Sequence, residues 1–600
     1  MVLAVWLLPL ASFLILLAAG RRLGHRSGVV SSVLTGLTLP GVVALLAAAP
    51  AGTTRLAAWP WLGILGHGLS LGWLVDPLSV MMAGVVALVS TLVQVYSLAY
   101  MKGDRDFPVF FAEISLFTFA MQGLVFAPDL LQLFIFWELV GLCSYLLIGF
   151  WHTRPAAARA ATKAFVVTRT GDLGLLAGIL LLWSATGTLN IPRLLALAGS
   201  GALGGWVLTG SALLVFAGAV GKSAQFPLHT WLPDAMEGPT PISALIHAAT
   251  MVAAGVYLVA RMYPLFAASP TALEVVASIG ALTALLAAGM GLVENELKRV
   301  VAYSTMSQLG YMMLGLGTGA YTAGLFQLFN HAFFKSLLFL AAGSVIHAAD
   351  THDLRRMGGL ARRLPLSAPA FLAGALALGG IPPFSGFFSK DPIIAATAHQ
   401  PALYAAALAG ALLTSLYIFR AYFLVFAGAP RGEHPGGEGS LAMRGPLWVL
   451  TVLSLGSGLA YHFFHRYLGR HPAAPYPVWS GSTWITLAVS GTGILLAWLL
   501  FANRPVPLPR AVRPLQRFLA ARCYLDALYA GAVVRPLLAL SRLTAWFDRR
   551  AVDGVVGGVG LAVLALGRGL RRVEVGRAQS YALAAFWGLA LFILLLEGVR

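Results

Sequence analysis

Apolar stretches of about 18 to 25 residues recur almost from one end of this sequence to the other. Each is long enough to cross roughly 30 Å of hydrocarbon as a helix. They fall near 2–19, 29–49, 76–99, 107–126, 129–150, 160–186, 204–225 and 240–263, then near 271–293, 297–317, 321–348, 365–390, 400–427, 446–466, 481–502 and 579–597. A chain of 600 residues with 59% hydrophobic and 10% charged residues has no soluble core large enough to hide that surface. The predicted fold is therefore an all-α polytopic membrane protein of about sixteen spans. The first stretch has no basic residue before it and no small-residue cleavage site after it, so it reads as a span and not as a signal peptide.

The net charge of +18 does not point to nucleic acid, because the basic residues stand in short clusters between apolar runs. The clusters are Arg21, Arg22 and Arg26; Lys102 and Arg105; Arg154 and Arg159; Lys298 and Arg299; Arg355, Arg356, Arg362 and Arg363; and Arg504 to Arg522. They follow odd-numbered spans, which predicts those loops on the cytoplasmic side and both termini outside. Arg55, Arg193, Arg466 and Arg470 are scattered exceptions, and the loop after span seven lacks the signal. Cys143 and Cys523 are too few for a disulfide framework or a metal cluster.

Residues 505–578 mix apolar residues with Arg535, Arg542, Asp548, Arg549, Arg550, Asp553, Arg568, Arg571 and Arg572. This composition predicts a long amphipathic helix on the cytoplasmic surface of the membrane, returning through a last span at 579–597. The stretch 59–73, WPWLGILGHGLSLGW, alternates and carries turn glycines, so a small hairpin is expected. The glycine-rich runs GLGTG at 315–319 and GVVGGVG at 554–560 do not follow strands and are not nucleotide loops.

An internal repeat stands at an offset of 166 residues: ELVGLCSYLLIG from Glu138 aligns without a gap on STMSQLGYMMLG from Ser304. The same offset sets Arg169 on Lys335 and brings Lys222 within two residues of Lys390. Two five-helix units follow, 107–263 and 271–427, flanked by 1–106 and by 446–502. An odd number of spans between the copies inverts one relative to the other, as in transporters whose sites lie at the bilayer midplane.

Ionisable groups inside spans cost about 2.5 to 3.5 kcal/mol on insertion scales, so each is a functional candidate. Glu138 lies within FIFWELVGLCSY. Lys222 follows a run of mostly apolar residues shortly before Pro227, where it serves either as a proton carrier or as a cap on carbonyls freed by a helix break. His247 lies in PISALIHAATMV; His331 and Lys335 are four apart and share one helical face. Lys390 and Asp391 follow the double proline Pro382 and Pro383, as a proton exit or as a pair at a helix end. Arg169 and Asp172, three apart, pair within a turn or tune Lys222. Without a nucleophile–base triad or a metal set, these groups suit proton relay better than bond-making chemistry. The attraction between a lysine and a carboxylate 4 Å apart is about 4 kcal/mol at an effective dielectric of 20. Motion of Glu138 against Lys222 is the expected switch.

The stretches KSAQFPLHTWLPDAMEGPTPISALIHAATMVAAGVYLVAR, KRVVAYSTMSQLGYM, NHAFFKSLLFLAAGSVIHA and FWELVGLCSYLLIGFW resemble the antiporter-like subunits of respiratory complex I over the whole chain. The segment after span fifteen, with AQSYAL leading into the last span, is similar to the distal one of these subunits. The resemblance implies a proton-translocating subunit of the bacterial inner membrane with no cofactor of its own. NADH, FMN, iron–sulfur clusters and quinone are then handled by partner subunits, and neighbouring membrane-arm subunits lie along the lateral helix. It implies a glutamate–lysine pair at Glu138 and Lys222, a central relay through His247, His331 and Lys335, and an outward connection at Lys390 with Asp391. Two departures stand out: Gln327 where relatives often have histidine, and Pro392 where an acidic residue is usual. A subunit of a multisubunit cation/proton antiporter, or a membrane partner of a carbon-uptake or hydrogenase complex, shares the same core.

Overall fold

The computed structural model describes residues 1–64, 67–432, 436–468, 479–502 and 513–599. Of the expected features, Arg470, Arg504 and the start of the 505–578 segment lie outside the described residues. Two compact units are present, Met1–Cys523 and Tyr524–Arg600.

The first unit opens with α1 (Val2–Leu23), α2 (Arg26–Gly36) and α3 (Thr38–Ala48), and the last two make one apolar stretch bent at Leu37. The hairpin follows as β1 (Arg55–Ile64) and β2 (His67–Val75), antiparallel from Arg55↔Val75 to Ile64↔His67. Next come α4 (Pro77–Tyr100), α5 (Phe107–Val125), α6 (Leu130–Ile148), α7 (Pro155–Thr186), the short α8 (Ile191–Gly199) and α9 (Gly205–Lys222). Asp76 and Asp129 cap α4 and α6 by accepting from Ser79 N at 2.9 Å and Gln132 N at 2.8 Å.

Span eight is itself broken, into α10 (Thr240–Ala248) and α11 (Met251–Arg261), followed by α12 (Tyr263–Ala267). The second half runs α13 (Pro270–Val293), α14 (Leu297–Gly317), α15 (Tyr321–Ala349), α16 (Ser367–Gly379), α17 (Ser385–Ala396) and α18 (Pro401–Phe426). Then follow α19 (Leu441–Gly456), α20 (Tyr461–Leu468), α21 (Gly481–Phe501) and α22 (Arg513–Ala520).

Local geometry repeats between the halves. α7 begins at Pro155 and α15 at Tyr321, 166 residues on. Each half also ties the entry of its second helix to the exit of its third by a lone antiparallel bridge, Asp129↔Asn190 and Glu296↔Asp353. The backbone bonds match: Leu130 N to Leu189 O at 2.9 Å and Ile191 N to Pro128 O at 3.0 Å, against Leu297 N to His352 O at 3.0 Å and Leu354 N to Asn295 O at 2.9 Å.

Among the described residues, fifteen helical stretches are long and apolar enough to cross a membrane. One of them, Arg522–Val573, has 52 residues and would extend about 78 Å, far more than one span needs. Leu297–Gly317 and the broken pair α16–α17 complete the expected set instead. In the second unit the amphipathic segment is α23 (Leu525–Tyr529), α24 (Arg535–Phe547) and α25 (Asp553–Val573), joined through π-type turns at Ala530–Val534 and Asp548–Val552, and α26 (Ala578–Glu597) is the last span. The expected single helix from 505 is thus interrupted at Arg522, Cys523 and Tyr524, whose φ values of 55°, 56° and 55° are left-handed. Three such residues cannot continue a right-handed helix.

α16 begins under the Glu438 carboxylate, which accepts from Leu366 N at 2.9 Å, from Ser367 N at 3.2 Å and from the Ser367 hydroxyl. A carboxylate there satisfies orphan amides and the helix dipole. Glu438→Ala is expected to weaken this start by about 1–2 kcal/mol, speeding hydrogen exchange of those amides about 5- to 30-fold. Unchanged exchange would show that the cap contributes nothing.

Candidate functional site

α7 and α9 approach closely because Gly171 presents no side chain: a Cβ there would stand 2.6 Å from the Ala217 carbonyl oxygen. Across that contact Lys222, the last residue of α9 and 1% exposed, sets its Nζ 3.2 Å from Asp172 Oδ2. The other oxygen, Asp172 Oδ1, accepts from Trp137 Nε1 at 2.5 Å. Glu138, expected opposite Lys222, instead pairs with Arg169. Arg169 and Asp172 do not pair within their turn; Arg169 is taken by Glu138 of α6, and Asp172 by Lys222 of α9 and Trp137 of α6. Lys222 still reaches α6, since a Cβ on Gly141, one turn beyond Glu138, would lie 2.5 Å from its Nζ.

Lys222 is not a cap on the broken helix. After α9 the chain turns through Ala224 at φ 46°, Gln225 N bonds Val220 O at 3.0 Å, and the Gly221 carbonyl accepts from Trp231 Nε1 at 3.0 Å. With that carbonyl satisfied, the ammonium is left to the carboxylate.

The second half repeats the Arg169–Glu138 contact with both residues changed. Lys335 donates to Ser304 Oγ at 2.5 Å, and these two residues stand 166 positions beyond Arg169 and Glu138. The first half therefore holds an acid where the second holds a hydroxyl. His247 ends α10, with its ring stacked on Phe339 at 5.4 Å, and His331 on α15 lies against the backbone of neighbouring Ala248. Both histidines are fully buried. Gln327 stands in a polar chain, donating to Gln308 Oε1 at 2.7 Å and accepting from Ser389 Oγ at 2.5 Å, next to Lys390.

Lys390 and Asp391 do not pair at a wet helix end. Both are buried on α17; Lys390 Nζ stands 4.9 Å from the Tyr311 ring centroid, and Asp391 Oδ2 accepts from Thr483 Oγ1 at 2.8 Å. Nor is Lys390 the positional counterpart of Lys222. The breaks match between Ala224 and Gly380, at φ 46° and 74°, where Gln225 N bonds Val220 O and Ile381 N bonds Leu376 O at 3.0 and 3.1 Å. Lys222 precedes its break, whereas Lys390 follows the second one on the next helix.

Sequence reasoning missed Trp137, Gly141, Trp231 and Ser304 as members of this site. Ser304 had a signal, because the repeat set it on Glu138. It also missed Arg261, fully buried, which binds Asp76 with both terminal nitrogens and Tyr257 Oη at 2.8 Å from Nη2. Outside the spans, Asp234 is half-buried, which raises its pKa, but Arg522 and Lys163 outweigh this and hold it below the usual carboxylate value. A depressed folded-state pKa contributes stability above the unfolded value, about 3.9, and loses it as pH falls through the folded one. Melting at pH 5 is therefore expected to match that at pH 7 for this tie, with the loss confined to stronger acid; Asp234→Asn should erase that acid step.

The sequence family described as "NADH:quinone oxidoreductase/Mrp antiporter, TM" matches residues 127–416, and "NADH-Ubiquinone oxidoreductase (complex I), chain 5 N-terminus" matches 61–111. The NAD(P)H-quinone oxidoreductase chain 5 of a Picosynechococcus species is 43% identical over 585 residues, covering 89% of this chain and 88% of the relative. The chain belongs to the chain 5 family of NAD(P)H-quinone oxidoreductases. F(420)H(2) dehydrogenase subunit L of Methanosarcina mazei is also 43% identical, covering 87% of each chain. A chain in the Mrp complex from Dietzia sp. superposes with a TM-score of 0.76 at 27% identity, over 95% of this chain and 63% of that one. Members of the chain 5 family share with it a multi-pass membrane architecture, and all these relatives are subunits of multisubunit complexes.

Proposed function

We propose that this chain is the proton-translocating membrane-arm subunit of an NADH:quinone oxidoreductase in a bacterial inner membrane, with both termini on the outer side. The carrying observation is the set of ionisable groups inside the spans: the half-buried Arg169–Glu138 pair, the buried Lys222–Asp172 pair, then the buried His247, His331, Lys335 and Lys390. Lys222 is paired with Asp172, and the Glu138–Arg169 pair lies one helix turn from Gly141, where Lys222 meets α6. The side chains of Glu138 and Arg169 are 19% and 36% exposed, against 2% and 1% for Asp172 and Lys222. The outer pair is thus the one a neighbouring subunit reaches, and the inner pair is the carrier.

From Lys222 the relay passes to His247 and His331, then to Lys335, and through the Gln327–Ser389 chain toward Lys390 and Asp391 at the exit. Electron transfer belongs to partner subunits. The two cysteines here lie on α6 and at the Arg522–Tyr524 turn, whereas an iron–sulfur cluster needs about four thiolates. On this reading NADH, FMN, the clusters and quinone fall to those partners, with the closest neighbours along α23–α25.

Purification in mild detergent tests this. Flavin and iron–sulfur absorbance with NADH:quinone activity in the co-purified complex is the expected result. Colourless membrane subunits alone, with cation-coupled proton exchange, would move the chain to the multisubunit antiporters.

A further inference from the structure

Between α9 and α10 runs a short segment, Asp234–Gly238, that links the chain end carrying Lys222 to the helix carrying His247. Four basic side chains from three regions converge on it. Lys163 of α7 reaches Asp234 Oδ2 at 2.7 Å, and Arg522 reaches Asp234 Oδ1 at 2.8 Å. Lys298, at the start of α14, donates to the carbonyls of Met236 and Gly238 at 2.5 and 2.7 Å, and Arg299 stands 3.5 Å from Glu237. The segment also presses on α6, where a Cβ on Gly238 would lie 3.2 Å from the Leu147 carbonyl.

We propose that Asp234 is a positioning residue for the Lys222 relay, joining α7 to the Arg522 turn so that Lys222 stays in register with Asp172. Lys163 and Asp172 lie on one helix, nine residues and about 13.5 Å apart. Lys222 and Asp234 lie at the two ends of the chain that leaves α9. The Asp234–Lys163 tie and the Lys222–Asp172 tie therefore close one loop between the same two strands of chain, and sliding α9 along α7 strains both. Arg522 is the third member. It opens the run of three left-handed residues, a conformation that costs about 1–2 kcal/mol per non-glycine residue and persists only where contacts over-determine it. Its ion pair with Asp234 is one such contact, and through that carboxylate Arg522 is joined to the register of the carrier lysine.

This inference rests on Lys222 being the carrier. The test uses the whole complex in sealed membrane vesicles, reading protons moved per electron, with complex content measured on native gels. Asp234→Asn and Arg522→Gln are each expected to lower that ratio at least threefold while quinone reduction per complex stays within twofold. Asp234→Glu, which keeps a carboxylate for both Lys163 and Arg522, should hold the ratio within twofold of the parent. A parental ratio in either Asp234→Asn or Arg522→Gln overturns the inference, as does an assembled Asp234→Glu variant that does no better than Asp234→Asn. If all three fail to assemble, Asp234 is a folding tie and not a positioning residue, which also overturns it. Lys222→Met separates the two readings. A parental ratio there refutes the carrier itself, while a lost ratio there with a parental one in Asp234→Asn refutes only this inference.

Discussion

Lys222→Met is expected to reduce proton translocation at least tenfold in the assembled complex. Methionine fills nearly the same volume, so the packing of α9 on α7 survives. It carries no proton, and it leaves Asp172 with the Trp137 indole alone of the two partners described above. That carboxylate is 1% exposed and loses the cation paired with it. Dye-reported acidification of inverted vesicles, set against quinone reduction and complex content, checks the outcome. Undiminished pumping would remove Lys222 from the mechanism.

Gly141→Ala is the second variant expected to have a large effect, and it alters no charge. The new methyl carbon would occupy a point 2.5 Å from Lys222 Nζ, so the ammonium must swing away from α6. The helix itself gains by the exchange, since alanine is about 0.8–1 kcal/mol better than glycine in a helix interior. Assembly should therefore be intact while pumping falls about tenfold, a 1.4 kcal/mol change in the carrier step. Parental pumping would mean that the lysine works from a position clear of α6. Together the two variants separate the presence of the proton carrier from its placement.

The spans were legible because a bilayer demands length and apolarity from each, and both are local properties of the sequence. The repeat was legible for a related reason: an offset of 166 set Glu138 on Ser304 and Arg169 on Lys335, and the structure joins each pair within its own half. The partner of Lys222 was not legible. Helical spacing says which residues share a face but not which neighbouring helix that face meets, so Arg169 and Asp172 gave no sign that one would pair with Glu138 and the other with Lys222. The matching of Lys222 with Lys390 failed because the offset drifts to 156 at the breaks, from Ala224 to Gly380. Irregular turns tolerate insertion where packed helices do not. The kink after His247 left only Thr250 as its mark in the sequence, a residue whose hydroxyl bonds the Leu245 carbonyl at 2.8 Å.

The hydroxyl that stands in the second half where the first holds a carboxylate makes the two halves electrically unlike. The Glu138–Arg169 pair is neutral when both groups are ionised, whereas protonated Lys335 beside Ser304 carries a full positive charge. Inside a membrane an uncompensated charge costs about 2.5–3.5 kcal/mol on insertion scales. A proton resting on Lys335 therefore raises the energy of the second half in a way that the ionised pair of the first half does not.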